Sequence, residues 1–170
     1  MGHLWLVGMM GSGKSAVGAI VASQLGRRLV DIDVEVAARL GCSIAELWGQ
    51  QGEEAFRDME AARMAVVAGE SPAVMATGGG AVLRAANVAL MRESGRVLWL
   101  RACPATLAAR IGDEDGRPLL AGADSHEALQ NILAQREELY RRAADHCLAT
   151  DELTVTEAAE EAVAWWNASR

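Results

Sequence analysis

Gly8-Met9-Met10-Gly11-Ser12-Gly13-Lys14-Ser15 is the stretch on which the reading of this chain turns. It matches G-x-x-x-x-G-K-[ST], in which glycines let the backbone curl so that successive N–H groups face a phosphate at a helix N-terminus. In such a loop Gly11, Ser12, Gly13 and Lys14 wrap the phosphates of ATP, with the Lys14 ammonium reaching the β and γ groups. Ser15, in the first helical turn, sends its hydroxyl back toward the phosphate oxygens, where a Mg²⁺ ligand belongs. The motif alone is shared by many unrelated enzymes. Its setting makes it specific here: an apolar run over residues 3–7 precedes it, and Val17, Ile20, Val21 and Leu25 follow on one helical face.

Outward from this strand, loop and helix the pattern repeats. Residues 29–32 and 73–76 read as strands, residues 34–40 and 44–67 as helices, and Ser43 with Glu46 has the spacing of a capping box. Residues 88–91 fall on a helix, 97–100 on a strand, and Pro104 suits a first helical turn. A last short strand is predicted over residues 146–149, before a helix capped by Thr154 and Glu157 that carries Trp165 and Trp166. Strands alternating with helices imply an α/β fold of three layers, a five-stranded parallel sheet with helices on both faces. Residues 112–122 break the rhythm with three glycines, a proline and three consecutive acids, and read as a mobile loop. No linker divides the 170 residues, so one domain over residues 1–170 is expected.

Composition narrows the partners. A formal net charge of −7 argues against a surface that tracks nucleic-acid phosphates. Lys14 is the sole lysine, every other basic residue being arginine, so arginine as such marks nothing, whereas the retained lysine does. Cys42, Cys103 and Cys147 are scattered without metal-ligand spacing and are expected to be reduced, buried fillers. The first residues lack the basic start of an export signal and no apolar run could span a bilayer, so a cytoplasmic protein without membrane contact is expected.

Asp31-Ile32-Asp33 closes the second predicted strand, and period-2 alternation would send both carboxylates to one side as the chain leaves the sheet. Ligands of open parallel sheets sit beyond the carboxyl ends of the strands, so these acids should face the phosphates. One could serve Mg²⁺ and the other a substrate hydroxyl. Alternatively, Asp33 only N-caps a helix beginning at Val34.

The P-loop, Asp31-Ile32-Asp33, Phe56-Arg57, Gly78-Gly79-Gly80, Arg117-Pro118-Leu119-Leu120 and Arg136 followed by Leu139-Tyr140 together resemble the shikimate kinase family over nearly the whole chain. The resemblance implies a P-loop kinase fold with a lid at about residues 112–124 and substrate-binding helices at about residues 33–61. It implies transfer of the ATP γ-phosphoryl group to the 3-hydroxyl of shikimate, a step of aromatic amino acid biosynthesis, with Mg²⁺ as cofactor and a monomer as the working unit. Asp33 would receive the reacting hydroxyl, Arg57 and Arg136 the substrate carboxylate, and Gly79 and Gly80 the ring. Trp48, where the family more often has Phe, and Phe56 would wall the pocket. Lys14 and Arg117 would neutralise charge on the transferred group, Arg110 would stack on adenine, Ser15 and Asp31 would hold the metal, and Ala16 replaces a hydroxyl many relatives place near the α-phosphate.

The residue types suit these tasks independently of the family, because a planar guanidinium fork pairs a carboxylate bidentately. Read singly, each has a plainer account: Glu53, Arg57 and Glu60 lie one turn apart and could form a surface ion pair, and Arg136 beside Glu137 and Glu138 could belong to a solvated face. A gluconate-type kinase or a nucleotide-binding regulator without transferase activity would share the cradle. The set Asp33, Arg57, Gly79, Gly80 and Arg136 separates the first, and intact Lys14, Ser15 and Asp31 speak against the second.

Overall fold

The first strand, β1 (His3–Val7), is buried at all five positions, and its alternation divides those side chains between two cores. Trp5 and Val7 enter one, Leu4 and Leu6 the other, as a strand covered on both faces requires. In this computed structural model, which describes residues 2–111 and 125–168, β1 lies at the centre of a five-stranded sheet. Its companions are β2 (Leu29–Asp31), β3 (Val74–Ala76), β4 (Gly95–Arg101) and β5 (His146–Ala149). The order is β2-β3-β1-β4-β5, and every pair is parallel.

Helix α1 (Lys14–Gln24) and the C-terminal α7 (Val155–Ala168) cover one face, burying Val17, Val21, Ala158, Ala162 and Trp166 against Leu4, Leu6, Leu98 and Leu148. The other face carries α2 (Ile32–Leu40), α3 (Ile44–Ala68), α4 (Ala85–Ser94), α5 (Pro104–Ile111) and α6 (Ser125–Ala143). Val36, Leu47, Met64, Met91, Leu107, Leu129 and Tyr140 pack there on Trp5, Met75, Val97 and Trp99. Each large apolar side chain taken out of water contributes about 1.5–3 kcal/mol. The three-layer expectation is met, and no helix among the described residues is long and apolar enough to cross a membrane.

Register fixes where the site must form. Asp31 and Leu6 both lie level with Ala76, so the segments after β2, β3 and β1 leave the sheet side by side. Those segments are the Asp31–Asp33 acids, the Gly78–Gly80 run and the P-loop. They sit at the carboxyl rim, beside the place where strand order reverses around β1.

Local chemistry sets the helix starts. The Ser43 hydroxyl accepts from the Glu46 N–H at 3.1 Å while the Glu46 carboxylate accepts from the Ser43 N–H at 2.7 Å, a complete capping box. Thr154 and Glu157 repeat it at 3.2 and 2.8 Å. These bonds favour the ionised carboxylates and hold both glutamates below their usual range.

Three sequence expectations are corrected. The second strand ends at Asp31, not Ile32, because Asp31 is itself the N-cap of α2 and accepts from the Val34 N–H at 3.2 Å; Asp33 is therefore not the cap. Helix α3 is kinked at Gly52, whose φ of 84° takes it out of helical geometry. The cysteines are free thiols but not buried fillers: Cys103 and Cys147 are exposed and Cys42 is half-buried.

Candidate active site

The P-loop is held open by its own backbone. Gly8, Gly11 and Gly13 have φ of 144°, 77° and 90°, conformations that side chains resist. At Gly11 a side chain would also strike Ile111, its Cβ falling 2.8 Å from that residue's Cγ1, so the end of α5 packs directly on the loop. The Lys14 ammonium donates to the carbonyls of Gly8 and Met9 at 2.8 Å each. The Lys14 ammonium thus sits inside the curl, where phosphate charge would be received. Gly13 is the N-cap of α1 and its backbone opens the helix that carries Lys14, Ser15 and Ala16.

The Ser15 hydroxyl donates to the Asp31 carboxylate, which brings a hydroxyl and a carboxylate oxygen together at the P-loop. That donor set suits Mg²⁺, which keeps most of its waters and takes one or two protein oxygens besides the phosphates. Among the described residues no cluster of three or more acids, histidines or cysteines offers a larger metal cage.

Beside the P-loop, each residue of the Gly78–Gly80 run admits a different group. A Cβ on Gly78 would lie 2.3 Å from Glu60 Oε1 and 2.8 Å from Asp33 Oδ1. One on Gly79 would touch P-loop backbone, 3.4 Å from the Met10 nitrogen. One on Gly80 would lie 2.1 Å from Arg57 Nη2. Gly78 and Gly80 are small because side chains of the site itself occupy the space, whereas at Gly79 a Cβ would make only ordinary contact with backbone. Arg136 reaches it from α6, donating to the Gly79 carbonyl at 3.3 Å, and Tyr140 donates to the same oxygen.

Arg57 and Arg136, distant in sequence, therefore meet on adjacent glycines. Both are 6% exposed, which overturns the surface ion-pair and solvated-face alternatives. Arg57 does pair with its helix neighbours, Glu60 at 2.9 Å and Glu53 at 3.2 Å, yet Glu60 is fully buried at 0% exposure. Burial pushes the Glu60 carboxyl above its usual range, the Arg57 charge holds it down, and the Asp33 charge pushes it up again. Among the described residues no carboxylate pairs with Arg136. Phe56 and Trp48 meet edge to face at 6.0 Å, with the Arg57 guanidinium 5.0 Å over Phe56 and 5.8 Å over Trp48.

Glu60 and Tyr140 also reach the glycine run, whereas the sequence offered Glu60 as a surface ion-pair partner and Tyr140 as part of the motif after Arg136. The i, i+3 spacing of Arg57 and Glu60 was visible, but spacing on a helix does not say which face is buried. Arg110 ends α5 and donates to the Thr150 hydroxyl at 3.0 Å and to the Thr150 carbonyl, so it joins the P-loop side of the rim to the end of β5. Arg117 and the lid at residues 112–124 lie outside the described residues.

The Gly80 contact gives a first prediction. In Gly80→Ala the added methyl must displace the Arg57 guanidinium, so acceptor affinity should fall about tenfold or more with nucleotide affinity kept, since one misplaced charge-assisted bond is worth about 1.5–3 kcal/mol. Parallel titrations of both substrates check it, and unchanged acceptor affinity would show that Arg57 is free to move aside.

Known proteins place this geometry. The sequence model described as Shikimate kinase matches residues 10–167. A shikimate kinase of Moorella thermoacetica is 43% identical over 88% of this chain and 86% of its own. That of Symbiobacterium thermophilum is 42% identical over 94% and 92%. Among solved structures, shikimate kinase from Acinetobacter baumannii in complex with shikimate superposes with a TM-score of 0.96 at 29% identity, covering 100% of this chain and 95% of that one. A gluconokinase from Sinorhizobium meliloti reaches 0.58 at 20% identity, covering 96% and 90%, a likeness of fold alone. With the family match extending over both the P-loop lysine and the two converging arginines, the chain belongs to the shikimate kinase family.

Proposed function

We propose that the chain transfers the γ-phosphoryl group of ATP to the 3-hydroxyl of shikimate, giving shikimate 3-phosphate and ADP. The observation that carries the reading is the meeting of two buried guanidiniums, Arg57 and Arg136, at Gly79–Gly80 on the rim where Asp33 and the P-loop also end. A buried pair of guanidiniums beside a phosphate cradle asks for an acceptor that is itself anionic. A small ring carrying a carboxylate and hydroxyls meets that demand.

The P-loop amides from Gly11 to Ala16 bind the phosphates, and Lys14 stabilises charge spreading over the transferred group. Ser15 and Asp31 would hold Mg²⁺, which would neutralise charge on the phosphates. Arg57 and Arg136 grip the carboxylate, which turns the ring so that its hydroxyl meets Asp33. Asp33 orients that hydroxyl in line with the phosphoryl group and takes its proton. Trp48 and Phe56 flank the ring and keep water out. Arg110 and Arg117 act on the nucleotide, Arg117 from the lid.

A coupled assay of ADP release with shikimate and gluconate side by side tests this. Turnover is expected with shikimate and ATP plus Mg²⁺, and none above background with gluconate. ADP release that ignores shikimate would remove the proposal.

A further inference from the structure

Tyr140 has no part in the reaction as described so far, although its hydroxyl donates to the Gly79 carbonyl, in the glycine run that Arg136 also reaches. We infer that Tyr140 is a positioning residue: its hydroxyl pins the Gly79 carbonyl and braces the Arg136 guanidinium, so that the glycine run and the carboxylate-gripping arginine keep one geometry. The inference rests on the shikimate reading above.

The ring is 1% exposed and stacks on Trp99 with centroids 5.7 Å apart and planes 21° from parallel. Trp99 sits on β4 level with Val7, the last residue before the P-loop, so the ring is braced on the strand pair that carries the phosphate cradle. Had packing been the sole demand, Phe would fill the same place without a polar atom to satisfy. Instead the hydroxyl donates to the Gly79 carbonyl, which also accepts from Arg136 Nη1 at 3.3 Å, so the Arg136 guanidinium and the phenol lie side by side on one oxygen. Both lone pairs of one carbonyl are thus engaged from α6. Burial pushes the phenol up to about 12, so it stays protonated, and stays a donor, throughout the range in which the enzyme would work.

The consequence lies in the peptide that follows. A planar trans peptide points the Gly80 N–H opposite to the Gly79 carbonyl, so pinning that oxygen toward α6 turns the amide away from α6. It also sets Gly80 against Arg57, whose Nη2 lies where a Gly80 Cβ would be. One hydroxyl therefore fixes the spacing between the two guanidiniums.

Tyr140→Phe keeps the stacked ring and removes only the hydroxyl; Tyr140→Leu removes both. In the full chain, Tyr140→Phe is expected to raise KM and Kd for shikimate about three- to tenfold, the worth of one hydrogen bond. KM for ATP should stay within about twofold of wild type and Tm within about 4 °C. Tyr140→Leu should lose shikimate affinity and Tm together, and Phe at this position should restore Tm but not shikimate affinity. Wild-type shikimate constants in Tyr140→Phe, or parallel losses of ATP affinity, shikimate affinity and Tm in that variant, would reduce Tyr140 to core packing. Failure of the wild-type chain to bind shikimate at all would instead remove the functional reading, and this inference with it.

Discussion

Lys14→Met is expected to lower kcat about a thousandfold, or about 4 kcal/mol of transition-state stabilisation. The substitution keeps the apolar stem and deletes the ammonium. That ammonium lies between the carbonyls of Gly8 and Met9, 2.8 Å from each, within the loop whose positive-φ glycines shape it. Phosphoryl transfer leaves the protein little covalent chemistry, so positioning and charge carry nearly all of the acceleration. No second lysine exists anywhere in the chain to take over. Stability should fall by only about 1–3 kcal/mol, because the buried carbonyls of Gly8 and Met9 lose a charged donor while α1 itself gains nothing unfavourable. Shikimate affinity should be nearly unchanged, since its proposed partners lie on α2, α3, α6 and the glycine run. Steady-state kinetics, a denaturant unfolding curve and a shikimate titration check the three points in turn. A kcat within tenfold of wild type would mean that charge neutralisation is supplied elsewhere.

Most of the architecture was legible because both of its signals are local. β1 and β5 fall on residues 3–7 and 146–149 as expected from their apolar runs, and two capping boxes announce α3 and α7 at the right residues. What failed was also local, but contested. The tripeptide Asp31-Ile32-Asp33 reads equally as strand end or helix start, and the decision comes from Asp31, which caps Val34 and accepts from Ser15 at once. The kink at Gly52 could have been suspected from Gly49 and Gly52, yet a glycine in a helical pattern is often merely tolerated.

The site was legible as a list of residues and not as a set of contacts. Asp33, Arg57, Gly79, Gly80 and Arg136 were named from their motifs, but why the run must be glycine was not foreseen. Sequence suggested room for a ligand; the structure fills the space at Gly78 with the Glu60 and Asp33 carboxylates and at Gly80 with Arg57. Glu60 was hidden for the same reason. Its pairing partner was apparent three residues away, but burial is a tertiary property, decided by how α3 meets the glycine run and α2. Exposure of Cys103 and Cys147 was missed because a thiol carries no sequence mark of the face it occupies.

Arg136→Ala and Arg57→Ala should both weaken shikimate binding, but in separable ways. Arg57 already faces two carboxylates, Glu60 at 2.9 Å and Glu53 at 3.2 Å, which offset its charge before any substrate arrives. Among the described residues Arg136 donates to the Gly79 carbonyl and pairs with no carboxylate, so it brings the larger uncompensated charge to an incoming carboxylate. Arg136→Ala is therefore expected to raise the shikimate Kd about a hundredfold, with ATP affinity and Tm nearly kept. Arg57→Ala should raise it less, and should cost about 3–5 kcal/mol of stability near neutral pH, because Glu60 is left buried without its counter-charge. The sign with pH follows from the same contact. Glu60 already titrates above its ordinary 4.5 through burial, and Arg57 is the main group holding it down. Without Arg57 its folded-state value rises further, so stability is fully present below the unfolded value and is lost as pH rises through the folded one. Melting curves at about pH 5 and about pH 8 should show Arg57→Ala losing more stability than wild type between them, while Arg136→Ala follows wild type. Equal pH dependence in all three proteins would mean that Glu60 is not held by Arg57, and a greater loss of shikimate affinity in Arg57→Ala than in Arg136→Ala would reverse the assignment of the principal carboxylate partner.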